Sequence, residues 1–74
     1  MGLFAYRIKM KKIIQNRLKF EMEDMKKYPQ FTLNIDPNHF NIWYVSFKGV
    51  EKTLYANEDL KLKFVFEGDY VIIS

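Results

Sequence analysis

An α+β domain, with one helix laid on an antiparallel β-meander, is what this sequence predicts, and three observations carry that prediction. Apolar residues recur at helical spacing through 7–27. Period-two alternation then runs through three separate stretches, about 31–36, 42–48 and 60–66. The connections between these stretches are short except for one loop, so neighbouring strands are expected to lie antiparallel in one sheet.

The helix comes first. Met10, Ile14, Leu18, Met22 and Met25 step by four, four, four and three, which draws one apolar stripe. Arg7, Lys9, Lys11, Lys12, Arg17, Lys19, Lys26 and Lys27 take the remaining faces, while Ile13 and Phe20 fall off the stripe. Glu23 precedes Lys27 by four residues, the favourable order for a side-chain pair. Pro29 biases Tyr28 away from helical angles and stops the helix.

The strands follow. Phe31, Leu33 and Ile35 alternate with Thr32, Asn34 and Asp36. Asp36-Pro37-Asn38-His39 is a turn with proline at its favoured second position. Trp43, Val45 and Phe47 mark the next strand, and Lys48-Gly49 opens a loop of about ten residues anchored by Thr53-Leu54-Tyr55. Leu60, Leu62, Phe64 and Phe66 form the third apolar row, and Gly68-Asp69 reads as a turn. The first, second and third rows need the same core, leaving Thr32, Asn34, Tyr44, Ser46, Lys61, Lys63 and Val65 on the outer face.

The chain is one domain of 74 residues, near the lower limit for a self-sufficient core. With no cysteine it has no disulfide, thiolate metal site or thiol nucleophile. No secretory signal opens the chain, and Tyr6 stands where myristoylation needs Ser or Thr. No apolar run approaches the roughly twenty residues that span a bilayer. A cytoplasmic or nuclear protein without membrane attachment is expected.

The chemical inventory is thin. His39 is the one histidine and sits in a turn, so solvation explains it. No carboxylate pair, glycine-rich loop before a helix or metal-ligand cluster is apparent; catalytic, cofactor-binding and metal-binding residues are expected to be none. The lysines of the helix spread over several faces, and the net charge of +3 is modest, so no nucleic-acid partner is expected.

The residues in this order resemble the N-terminal half of a ubiquitin-conjugating enzyme. Arg17-Leu18-Lys19-Phe20-Glu21-Met22, followed by Pro29, matches the family's Arg/Lys-Leu/Ile-x-x-Glu-Leu helix ending before a proline. Trp43, Gly49 and Thr53-Leu54-Tyr55 follow at the intervals of the family's tryptophan, glycine and Thr-Pro-Tyr. Phe66, Asp69 and Tyr70 take the places of Phe-Pro-x-x-Tyr-Pro. The match spans 14–70. It departs where Asn57-Glu58 replace glycines, where Glu67 and Val71 replace prolines, and where the family's His-Pro-Asn element and cysteine are not found.

The resemblance implies a helix on a four-stranded meander, a truncated ubiquitin-conjugating-like fold present here through its third strand. It also implies a transferase that carries ubiquitin or a ubiquitin-like modifier as a cysteine thioester in full length, with this chain inactive alone. The alternative is a cysteine-less interaction module of the same family. Partners implied are ubiquitin or a ubiquitin-like protein, the activating enzyme and a ligase, with Lys12, Arg17 and Lys19 as contact residues and no cofactor. In some relatives the outer sheet face holds a second ubiquitin. On this reading 71–74 is an apolar tail short of the domain's natural end. The strand 60–66 is then an edge, and a homo-oligomer is expected to form through that edge or the tail.

Overall fold

The computed structural model describes residues 5–50 and 58–74, and it holds one helix on a five-stranded antiparallel sheet. Strand β1 spans Tyr6–Lys9, helix α1 Lys12–Asp24, followed by a 3₁₀ turn at Met25–Lys27. Strands β2 (Phe31–Ile35), β3 (Ile42–Val50), β4 (Glu58–Glu67) and β5 (Tyr70–Ile73) complete the chain. Sheet order is β1-β5-β4-β3-β2, a four-strand meander with the first strand added beside the last.

One expectation is overturned at the N-terminus. Residues 7–11 are not helical; Tyr6-Arg7-Ile8-Lys9 pairs with β5, Tyr6 opposite Ile73 and Lys9 opposite Tyr70. The alternation of large and cationic side chains in these four residues fits a strand, and pairing with a distant segment overrides a weak helical pattern. The helix begins only after Lys11, which has extended angles (φ −59°, ψ 152°) and no side-chain cap. Of the expected stripe, Met10, Leu18, Met22 and Met25 lie in or against the core, and Ile14 alone does not, its place being taken by Gln15. Ile14 is half exposed. Ile13 and Phe20 are more exposed still.

The ion pairs at the helix end shift for a geometric reason. Lys27 Nζ reaches Asp24 at 3.1 Å, and Lys26 reaches Glu23 at 3.7 Å, so the Glu23–Lys27 pair is replaced by two i,i+3 pairs. A 3₁₀ turn has three residues per turn and brings i and i+3 into line.

A further correction concerns the tail. Val71 is fully buried, Val71-Ile72-Ile73 forms β5, and both of its sides are paired, to β4 and to β1. Residues 60–66 are therefore interior, and the edges of the sheet are β1 and β2. The tail is β-branched and apolar, which suits a strand buried on one face inside a sheet. The meander thus runs to a fourth strand rather than stopping at the third.

The core lies between α1 and one face of the sheet: Met22, Phe31, Leu33, Trp43, Val45, Phe66 and Val71 are buried together. Phe31 meets Phe47, and Trp43 meets Phe66, in edge-to-face contacts with centroids 5.1 and 5.7 Å apart. Such pairs add about 0.5–1.5 kcal/mol beyond their buried area. Strands β3 and β4 run past the bounds expected of them. Between Phe47 and Val50 the register shifts at a bulge, where Gly49 adopts φ +67° and its N–H donates to Asp59 Oδ1 at 3.2 Å. A positive φ there suits a residue without a Cβ.

Candidate functional site

Three surfaces flank this core. The first is α1 itself. At 100° per residue, Lys12 and Lys19 lie within about 20° of each other, and Arg17 stands about 140–160° away. The three residues expected to contact partners are thus not brought together. Arg17 is exposed and pairs loosely with Glu21 (3.9 Å). Lys12 is exposed. Lys19 folds over the sheet, its Nζ 4.6 Å from the Phe66 ring centroid and 5.9 Å from that of Trp43. A cation against two rings is held by their quadrupoles, so this lysine shields the core.

Beside Lys19 opens a groove of about 540 Å³ lined by Asn16, Lys19, Phe20, Glu23, Asp24 and Trp43. Trp43 is the buried residue of this lining. The indole N–H donates to the Phe40 carbonyl at 2.9 Å, which fixes the ring. Asn41 locks the same end of the sheet: its side-chain N–H₂ donates to the Phe66 carbonyl at 3.2 Å, and the Phe66 N–H donates to Asn41's carbonyl at 2.9 Å.

The third surface is the sheet face that α1 does not cover. The register sets Thr32, Ser46 and Lys61 in one row, Asn34, Tyr44 and Lys63 in the next, and Ile42, Val65 and Ile72 in a third. All seven residues expected on the outer face therefore share it. A shallow depression of about 340 Å³ includes Asn34, Tyr44, Ser46, Lys61, Lys63 and Ser74. Further along, the Arg7 guanidinium sits 3.8 Å from the centre of the Tyr70 ring. Among the described residues no carboxylate lies within 4.0 Å of Arg7, Lys61 or Lys63.

The remaining singled-out residues act structurally. Phe66 is buried, and Tyr70 starts β5. The Asp69 carbonyl accepts the Met10 N–H at 2.6 Å, tying the approach to α1 to the β4–β5 turn. Thr53 and Tyr55 lie outside the described residues. In the β2–β3 turn, Asp36 Oδ1 accepts the N–H groups of Asn38 (2.8 Å) and His39 (3.0 Å). The Asn38 bond foremost, with His39 adding to it, holds the Asp36 carboxyl below its ordinary value. His39 is exposed with Nδ1 3.5 Å from Asp36, the arrangement of a turn clasp.

Sequence reasoning missed Gln15, which is 1% exposed and the one buried polar side chain among the described residues. Its spacing held the signal, since 15, 18, 22 and 25 step by three, four and three. A polar residue on such a stripe marks a buried hydrogen-bond donor.

Among the described residues there is no group of three or more His, Asp or Glu able to hold a metal ion, and no helix is long and apolar enough to cross a membrane. Comparison with protein-family models, with curated proteins and with solved structures gave no match.

Proposed function

We propose that the chain is a protein-docking unit, the N-terminal part of a ubiquitin-conjugating-enzyme-like domain, with α1 as its contact surface for an activating enzyme or ligase. One observation carries the reading: a single helix is followed by a four-strand antiparallel meander, β2 to β5, with Trp43 buried in its second strand. A helix followed by antiparallel strands agrees with what the sequence motifs imply, while β1 before the helix lies outside it. Exposed Lys12 and Arg17 present positive charge on α1, and charge complementarity supports recognition and rapid association. Chemistry would require a cysteine, which this chain lacks. In full length, such a domain would carry ubiquitin or a ubiquitin-like protein as a thioester.

A second reading, a non-catalytic interaction module of the same family, draws support from β5. Its pairing with both β4 and β1 joins the described strands into one sheet.

Isotope-labelled chain titrated with the activating enzyme tests the docking surface. Resonances of Lys12, Arg17 and their neighbours should move, and the charge reversal Lys12→Glu with Arg17→Glu should weaken binding at least tenfold. An unperturbed spectrum with excess activating enzyme, and again with excess ligase, would sink α1 as the docking surface. Under non-reducing conditions with ATP and ubiquitin, no thioester should form on this chain. Sequencing the spliced messenger separates the two readings, because only the enzyme continues into a cysteine segment.

A further inference from the structure

The sheet has two edges, and they differ in chemistry. On β1 the Met10 N–H bonds to Asp69, so by the alternation of an antiparallel ladder Tyr6 and Ile8 face β5. Arg7 and Lys9 then turn their backbone groups outward. On β2, Gln30 and Asp36 bond to Lys48 and Ile42, so Thr32 and Asn34 face β3. Leu33 and Ile35 turn outward, as does Phe31, whose N–H is already given to the Tyr28 carbonyl at 3.1 Å. Among the described residues no strand pairs with either edge.

Natural edges are guarded by charge, by bulges or by brevity. The β1 edge has Arg7 and Lys9, and pairing it with a second copy would set cations opposite cations, which is destabilising. Residues Phe31–Ile35 hold no charge, no proline and no bulge.

We propose that β2 is a self-recognition edge through which two copies of this chain pair antiparallel about a two-fold axis at Asn34. The register follows from the backbone groups left free. Centring the axis on Leu33 would ask for the Phe31 N–H, which is spent. Centring it on Asn34 sets Leu33 opposite Ile35 of the second copy, and the reverse. All four outward N–H groups of Leu33 and Ile35 in the pair then find a carbonyl. On the core face the partly exposed Ile35 gains Leu33 of the other copy as a neighbour. On the outer face the two Asn34 side chains meet, in a non-hydrogen-bonded pair with Cα atoms about 4.5 Å apart. The result is one ten-stranded sheet whose outer depressions, each bordered by Asn34 and Tyr44, adjoin across the axis. The oligomer expected from the sequence thus forms through β2, not through residues 60–66 or the tail.

Cysteine cross-linking tests the axis, because the native chain has no cysteine to interfere. A Cα separation of about 4.5 Å lies inside the range that a disulfide spans. Asn34→Cys, treated with a mild oxidant, should convert mostly to a covalent dimer of twice 9.0 kDa. Lys61→Cys, on the same face but two strands from the edge, should form no covalent dimer. In the unmodified chain, light scattering should show mass rising toward the dimer between micromolar and near-millimolar concentration. The Leu33 and Ile35 amides should gain exchange protection in step. A constant 9.0 kDa mass with unprotected Leu33 and Ile35 amides would overturn the proposal. So would equal cross-linking at both cysteines, or a dimer in which Asn34→Cys fails to cross-link.

Discussion

The side-chain amide of Gln15 donates two hydrogen bonds to backbone carbonyls far apart in sequence, to Met10 at 2.7 Å and to Gly68 at 2.8 Å. One buried group thus clasps the first turn of α1, the exit of β1 and the β4–β5 hairpin.

Replacing Gln15 with Leu keeps the volume and removes the donors. Two carbonyls lose their partner, and an unsatisfied buried polar group costs about 1–3 kcal/mol. A loss in that range should appear in urea unfolding with little change in slope. A change under about 0.5 kcal/mol, the level of an ordinary surface substitution, would remove Gln15 from this role.

The one change in the helix stripe, Gln15 buried where Ile14 was expected, gives a paired test. Met22→Ala should cost about 2–4 kcal/mol, as large-to-small changes in a core do. Ile14→Ala should cost much less, since half of that side chain is already in water. Equal costs would restore Ile14 to the buried stripe.

Acid should loosen the β2–β3 turn. Because the folded state lowers the Asp36 pKa, the carboxylate's contribution is fully present above its ordinary value of 3.8. It is lost as pH falls through the lower folded value. The stability difference between the native chain and Asp36→Asn should therefore shrink as pH falls below about 4. A difference that grew as pH fell below about 4 would contradict the hydrogen bonds assigned to Asp36.

At Gly68, φ is +54° and open space surrounds the position a Cβ would take. Gly68→Ala should then cost only the left-handed backbone penalty, about 1–2 kcal/mol. Asn, which tolerates that region better, should cost less than Ala. Denaturant midpoints rank the three. A larger loss with Asn than with Ala would point to a clash.

Much of the architecture was legible because period-two alternation survives burial: β2, β3 and β4 all have their apolar rows where the spacing places them. The β4–β5 turn was equally plain, since Gly68-Asp69 forms a two-residue hairpin loop with glycine first. What failed was non-local. Nothing near Tyr6 announces that Ile73 will be its neighbour, and four residues of alternation could not outweigh the apolar spacing that continued through Met10. Val71 to Ile73 read as a tail because their partners lie on both sides in space and only one side in sequence. At the candidate surfaces, the outer face followed from strand parity alone. Lys19 did not, because its ammonium lies over Phe66 and Trp43, a placement that helical spacing cannot show.

The pairing of Tyr6 with Ile73 decides how the molecule answers to force. Strands β1 and β5 run antiparallel, so a pull applied between Tyr6 and Ile73 acts on the same end of their ladder. Tension then opens the pairs one after another, Tyr6–Ile73 first and Lys9–Tyr70 last, and never loads them all in shear. Held by these two strands, the sheet peels like a zip at low load. Gripped through Lys9 and Ile73 instead, the same strands must break together.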